Sequence, residues 1–173
     1  MCNETIVMHY LPGAYLKEII ECGYLDVTPK KENLRGKEKP IAWFTTSEVY
    51  PPTAYKPVVL SDGTQHMLTN LEMHELLGGV FRLAGSNKTM KCYPWSILKT
   101  VAKIPTKLRK GLVGYAKSVG EKPSDWYGSL ERVEIGMLLL QKWNGTGWDT
   151  VPFSLDSVNP IAARFDRQSA HKH

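Results

Sequence analysis

The sequence predicts an α+β fold: a split, mostly antiparallel sheet with helices packed against it. Three observations lead there. Apolar β-branched runs and amphipathic helical segments follow one another irregularly, without the steady alternation of a doubly wound parallel sheet. The chain closes on a hairpin signal, Asn144-Gly145-Thr146-Gly147, flanked by Trp143 and Trp148. The 173 residues are 42% hydrophobic and 23% charged, the size and mixture of one core-forming unit. The expected organisation is a single domain over residues 1–165 with a loose polar tail over 166–173.

Thr5 to His9 is β-branched and apolar and reads as a first strand, broken by Leu11-Pro12-Gly13. Ala14 to Cys22 reads as a short helix, with Tyr15, Leu16, Ile19 and Ile20 on one face and Gly23 at its C-terminal end. Pro29 to Lys39 is a charged loop. Pro40 to Thr46 is a second strand, and Pro51-Pro52 excludes a central strand just after it. Val58 to Leu60 is a short strand before the Ser61–Thr64 turn. Leu68 to Leu77 reads as a helix with Leu68, Leu71, Leu76 and Leu77 inward, ended by Gly78-Gly79. Val80 to Ala84 is a strand.

Trp95 to Ile104 lies between two prolines and reads as a helix. A further helix over Thr106 to Val119 takes Thr106 as N-cap, sets Leu108, Leu112, Tyr115 and Val119 on one face, and is closed by Gly120. Ser124 to Gly128 reads as a turn, Leu130 to Leu140 as the longest strand, and Trp148 to Phe153 as the returning strand of the hairpin.

Bulk properties exclude several classes. No apolar run approaches the roughly 18 residues of a membrane helix, and no export signal is expected from the N-terminal residues. Cys2, Cys22 and Cys92 are scattered and odd in number, which predicts free thiols and a reducing, cytoplasmic setting in place of a disulfide framework or zinc site. The net charge of +5 favours acidic partners, nucleic acid among them. The clusters Lys30-Lys31, Lys37 to Lys39 and Lys107 to Lys110 read as solvated faces, and Trp95, Trp126, Trp143 and Trp148 as core residues. Phosphate-loop, dinucleotide-loop, zinc-protease, nucleophile-elbow and calcium-loop motifs are all missing. His66 and His74 stand at no metal-ligand spacing, and His74 is expected on the solvent side of its helix. His171 and His173 belong to the tail, so no metal is expected.

The informative stretch is the first fifty residues. His9-Tyr10 ends the first strand, a short helix leads to Gly23-Tyr24-Leu25, and Ile41-Ala42-Trp43-Phe44-Thr45-Thr46 follows. In order and spacing this resembles the opening of ADP-ribosyltransferase-fold proteins, on the diphtheria-toxin, poly-ADP-ribose-polymerase and RNA 2′-phosphotransferase side of that superfamily. The likeness is best over residues 8 to 47 and extends loosely to 126–140. It departs at Leu11, where a Thr or Ser is common, and at the stiff Pro51-Pro52.

The resemblance implies an NAD cleft, with NAD as substrate and ADP-ribose passed to a protein or nucleic-acid acceptor. It casts His9 as the group that holds the nicotinamide ribose. Tyr10, Thr45 and Thr46 would shape the pocket, and a late-strand glutamate would supply the acid. On strand alternation Glu131 is preferred, being an acid at the start of an otherwise apolar face, with Glu134 second. Arg82 and Arg35 are candidates for the pyrophosphate, because a guanidinium suits a bidentate phosphate contact. Breaking the nicotinamide–ribose bond needs orientation and a nearby negative charge more than a strong nucleophile. Two other readings stay open: an RNA 2′-phosphotransferase-like enzyme, and a non-catalytic basic module that binds nucleic acid or a protein partner.

Overall fold

The structure, a computed structural model, describes residues 3–29, 34, 36–55, 57–60 and 62–162. Its spine is β1 (Ile6–Pro12), where Val7, Met8, Tyr10 and Leu11 are buried. β1 pairs antiparallel over its whole length with β6 (Val80–Ser86), setting His9 opposite Leu83 and Tyr10 opposite Arg82. On its other side it meets β3 (Ala42–Thr45) at one register position, Met8 opposite Thr45. β10 (Leu139–Trp143) and β11 (Trp148–Thr150) extend the sheet beyond β6, and β8 (Trp126–Ser129) and β7 (Tyr93–Pro94) extend it beyond β3. The seven strands run in the order β11-β10-β6-β1-β3-β8-β7, and every recorded pairing is antiparallel. Two ribbons stand apart: β2 (Tyr24–Leu25) with β9 (Val133–Glu134), and β4 (Pro57–Val59) with β5 (Gln65–Met67).

α1 (Gly13–Cys22) follows β1 without a loop and ends at Gly23, whose φ of 83° is the left-handed conformation glycine adopts without strain. Its start lies so close to the Gly78 carbonyl that a Cβ on Gly13 would collide with it, while Gly13 N–H donates to Gly79 O at 2.8 Å. α2 (Asn70–Leu76) opens on a capping box: Thr69 accepts from Glu72 N–H, and the Glu72 carboxylate accepts from Thr69 N–H. α3 (Trp95–Val101) and α4 (Thr106–Ser118) cover the β3-β8 side, where Trp95, Leu98, Ala102, Ile104, Ala116 and Trp126 form one buried cluster with Ile41. The chain is α+β. Among the described residues no helix is long and apolar enough to cross a membrane.

Several local expectations need correction. Leu130 to Leu140 is not one strand. β9 and β10 have different partners, β2 and β6, and a 3₁₀ turn at Ile135–Met137 redirects the chain between them. Residues 126–128 are strand, not turn. The turn is the preceding 3₁₀ segment Pro123–Asp125, and Gly128 sits in β8 because a Cβ there would lie 2.5 Å from Ile41 Cγ2 and 2.7 Å from Leu98 Cδ2. Leu71 is 65% exposed and Met73 takes its place in the core, since capping at Thr69 sets the phase of α2. Thr106 is the first residue of α4 and Pro105 holds the N-cap position, so Leu108 and Tyr115 are left about half exposed, at 48% and 49%. His74 is half-buried, with Nδ1 shut off from solvent and lacking a hydrogen-bond partner. The hairpin forms as expected, with Trp143 opposite Trp148. Arg35, Lys30-Lys31, Cys2, His171 and His173 and the tail lie outside the described residues.

Candidate functional site

Where β1 and β3 part company, a cleft of about 420 Å³ opens between them. Met8, His9 and Tyr10 of β1 form one side, and Trp43, Phe44 and Thr45 of β3 the other. The volume falls in the usual range for small-molecule sites, and aromatic rings, among them Trp43, Phe44 and Trp126, form part of its walls. Leu112 and Tyr115 of α4 and Ala54 of the segment after β3 close further edges.

His9 reaches across the gap. Its Nδ1 lies 2.7 Å from the Trp43 carbonyl, and its ring meets Phe44 edge-on at 5.9 Å. A carbonyl oxygen only accepts, so Nδ1 carries a proton and donates it to Trp43 O. Tyr10 donates its hydroxyl to Ser47 O at 2.7 Å, and Arg82 Nη1 stands 3.5 Å from that hydroxyl. Burial raises the Tyr10 pKa and the neighbouring Arg82 partly offsets the rise.

Among the described residues, the acid that lines this cleft is Glu121. Its position follows from how α4 ends. Gly120 adopts φ 79°, Gly120 N–H donates to Lys117 O, and Glu121 N–H donates back to Ala116 O at 2.8 Å. This glycine-closed helix end delivers the next residue at a fixed angle. The carboxylate is then held from two directions. Oε1 accepts from Thr53 N–H at 2.7 Å; Oε2 accepts from Thr53 Oγ1 at 3.0 Å and from Trp126 Nε1 at 3.1 Å. Trp126 is itself braced by Trp95 and Trp43, with ring centroids 5.3 and 6.1 Å away. A second cavity of about 260 Å³ adjoins the first and shares Thr45, Pro51, Glu121 and Trp126 with it, so Glu121 borders both.

The residues singled out from the sequence divide. His9, Tyr10 and Thr45 line the cleft. The Thr45 hydroxyl accepts from Ser47 N–H at 3.0 Å, while Thr46 is absent from the lining and turns toward the Asp125 carbonyl. Glu131 lies outside the cleft, 68% exposed, with Oε2 3.1 Å from Lys91 Nζ. Glu134 is likewise outside, paired with Arg132 at 3.2 Å. Arg82 touches the cleft only through Tyr10. Its Nε donates to Gln141 at 2.7 Å and its guanidinium covers Trp148 at 4.5 Å. Glu121 and Thr53 line the cleft without being singled out by the sequence, and Trp43, part of the second-strand motif, joins them there. The sequence did hold a signal for Glu121, which is the first acidic residue after Glu75.

Among the described residues no three His, Cys, Asp or Glu side chains gather as a metal site. No protein-family model, curated protein or solved structure matches the chain.

Proposed function

We propose that the cleft binds NAD and that the protein transfers ADP-ribose to a macromolecular acceptor, with Glu121 as the acid. The observation that carries this reading is that His9 of β1 and Glu121 of the α4–β8 connection line one aromatic-walled cleft. The nicotinamide is a flat cation suited to the face of Trp43. His9, anchored through Nδ1 on the Trp43 carbonyl, orients the ribose from the β1 wall. The glycosidic bond breaks with its electron pair going to the nicotinamide nitrogen. The Glu121 carboxylate offsets the positive charge left on the ribose, and an acceptor nucleophile captures the ribose carbon as it loses its proton.

The test is incubation with labelled NAD, reading both nicotinamide release and label transfer. NAD in roughly hundredfold excess over Kd should stabilise the fold by about 2.7 kcal/mol. Glu121→Gln and His9→Ala should abolish turnover while the fold persists; Glu131→Gln and Glu134→Gln should leave it intact. Full turnover by Glu121→Gln would sink the assignment of the acid.

A second reading rests on the clasp itself. Both Glu121 oxygens are already engaged by Thr53 and Trp126, as befits a strut that shapes a binding cleft. A module of that kind binds NAD without releasing nicotinamide.

A further inference from the structure

The positive charge of this chain is concentrated. Residues 76–120 hold nine of its 22 lysines and arginines and no aspartate or glutamate, while the remainder carries 13 basic residues against 17 acidic ones. The acid-free stretch contains β6, β7, α3 and α4, and α4 is the helix whose Leu112 and Tyr115 border the cleft. Helical spacing sets Lys107, Lys110 and Lys117 along one exposed strip of α4. Leu108 and Tyr115 form a second exposed strip, and Gly111 and Gly114 run between the two. Ala116 faces inward, fully buried. Among the described residues no ion pair involves α3 or α4.

We infer that this face of α4 binds single-stranded nucleic acid and leads it to the cleft. A strip of exposed lysines with no acidic side chain on the same helix matches a polyanion, whose phosphates repeat along one line. An acidic protein would answer the charge alone. The half-exposed Tyr115 ring adds what a base needs, a flat surface at the mouth of the cleft on which to stack. A duplex keeps its bases stacked inside, out of reach of such a ring. Between the lysines and the tyrosine, the two glycines leave a lane in which a backbone can approach the helix; a Cβ at either would meet nothing within 4 Å. Past the end of α4, Val119, Gly120 and Lys122 line the second cavity, next to Glu121. Binding stands on the charge and the ring. That the bound strand is also the ADP-ribose acceptor rests on the NAD reading.

The experiment is fluorescence anisotropy with fluorescein-labelled oligothymidylate and oligouridylate of about 15 nucleotides, titrated across about 50–200 mM salt. For the wild type, log K should fall linearly with log salt. The triple variant Lys107→Gln, Lys110→Gln, Lys117→Gln should lower that slope by about 2, near 0.7 for each lost phosphate contact. Tyr115→Ala should weaken binding roughly tenfold at unchanged slope, and Tyr115→Phe should restore it. NAD-induced thermal stabilisation is measured on the same preparations and should survive the triple lysine change. Its absence from the wild type alongside intact oligonucleotide binding would remove the NAD reading and leave this one standing. The inference is overturned if binding is absent or insensitive to salt, or if the triple variant keeps the full slope. Polyglutamate displacing the oligonucleotide at equal charge overturns it in favour of an acidic protein partner, and tighter binding of a duplex of the same length overturns the stacking role.

Discussion

Trp126 Nε1 donates to Glu121 Oε2 at 3.1 Å, which ties the buried tryptophan cluster to the carboxylate that, among the described residues, lines the cleft. Trp126→Phe keeps most of the ring packing and removes this donor. Hydrogen bonds to charged groups contribute about 1.5–3 kcal/mol, so with Glu121 half-exposed a loss of about 1–2 kcal/mol is expected in urea unfolding. Turnover, if Glu121 is the acid, should fall further than stability does, because Thr53 alone then holds the carboxylate. A variant with wild-type stability and wild-type NAD chemistry would show the bond to be idle.

Glycines at different places should respond in opposite directions. Gly13→Ala drives a methyl group into the Gly78 carbonyl, and overpacking of this kind costs about 1–3 kcal/mol. Gly111→Ala and Gly114→Ala enter open space in the interior of α4, where alanine is favoured over glycine by about 0.8–1.0 kcal/mol each. Denaturant midpoints with unchanged m-values check both signs. The stabilised double variant should bind oligonucleotide more weakly than the wild type.

Glu72 gives the fold an acid-sensitive point. Its pKa is drawn from 4.5 to about 2, chiefly by the Thr69 backbone N–H of the capping box, with His66 and the Thr69 hydroxyl assisting. A carboxylate lowered in this way contributes stability above its unfolded value near 4.5, and the contribution drains away as pH falls toward 2. Glu72→Gln should therefore flatten the fall in melting temperature across that window and change its slope little above pH 5. An unchanged acid limb would show that the capping box does not survive in solution.

The two described cysteines should differ sharply in reactivity. Cys22 is exposed at the end of α1, whereas burial pushes the Cys92 thiol up to about 12, so its nucleophilic thiolate is scarce at neutral pH. Brief alkylation of the native protein followed by peptide mapping should find Cys22 modified and Cys92 protected until denaturant is added. Equal labelling would mean that the loop after β6 opens readily.

What the sequence revealed about this fold was mostly local. The β-branched opening run, Gly23, Gly120 and the Asn144-Gly145 turn each act through neighbours in the chain, and the structure has them where the sequence implies. The misses come from long-range partners. Alternation within Leu130–Leu140 looked continuous, but its halves pair with β2 and β6, and no local pattern encodes that division. Gly128 carries a turn residue's signature and serves a strand because Ile41 and Leu98 crowd it. The same limit decided the acid. Alternation pointed to Glu131, which meets Lys91, while Glu121 reaches the cleft by way of a helix end and the Thr53 loop. Lys107 to Lys110 taken alone reads as an ordinary solvated patch; the absence of acids across 76–120 is a property of a longer stretch.

The single register contact between Met8 and Thr45 has a mechanical meaning. It divides the sheet into two leaves, β11-β10-β6-β1 and β3-β8-β7, each laddered within itself and joined to the other by one main-chain rung and the His9–Trp43 and Tyr10–Ser47 side-chain bonds. Spreading the leaves breaks few main-chain bonds, so a guest can enter without unravelling either one. A molecule that touches His9 on one leaf and Trp43 on the other becomes the brace across the hinge. Amide exchange beside the hinge should then slow when the cleft is filled, while exchange inside each leaf stays as it was.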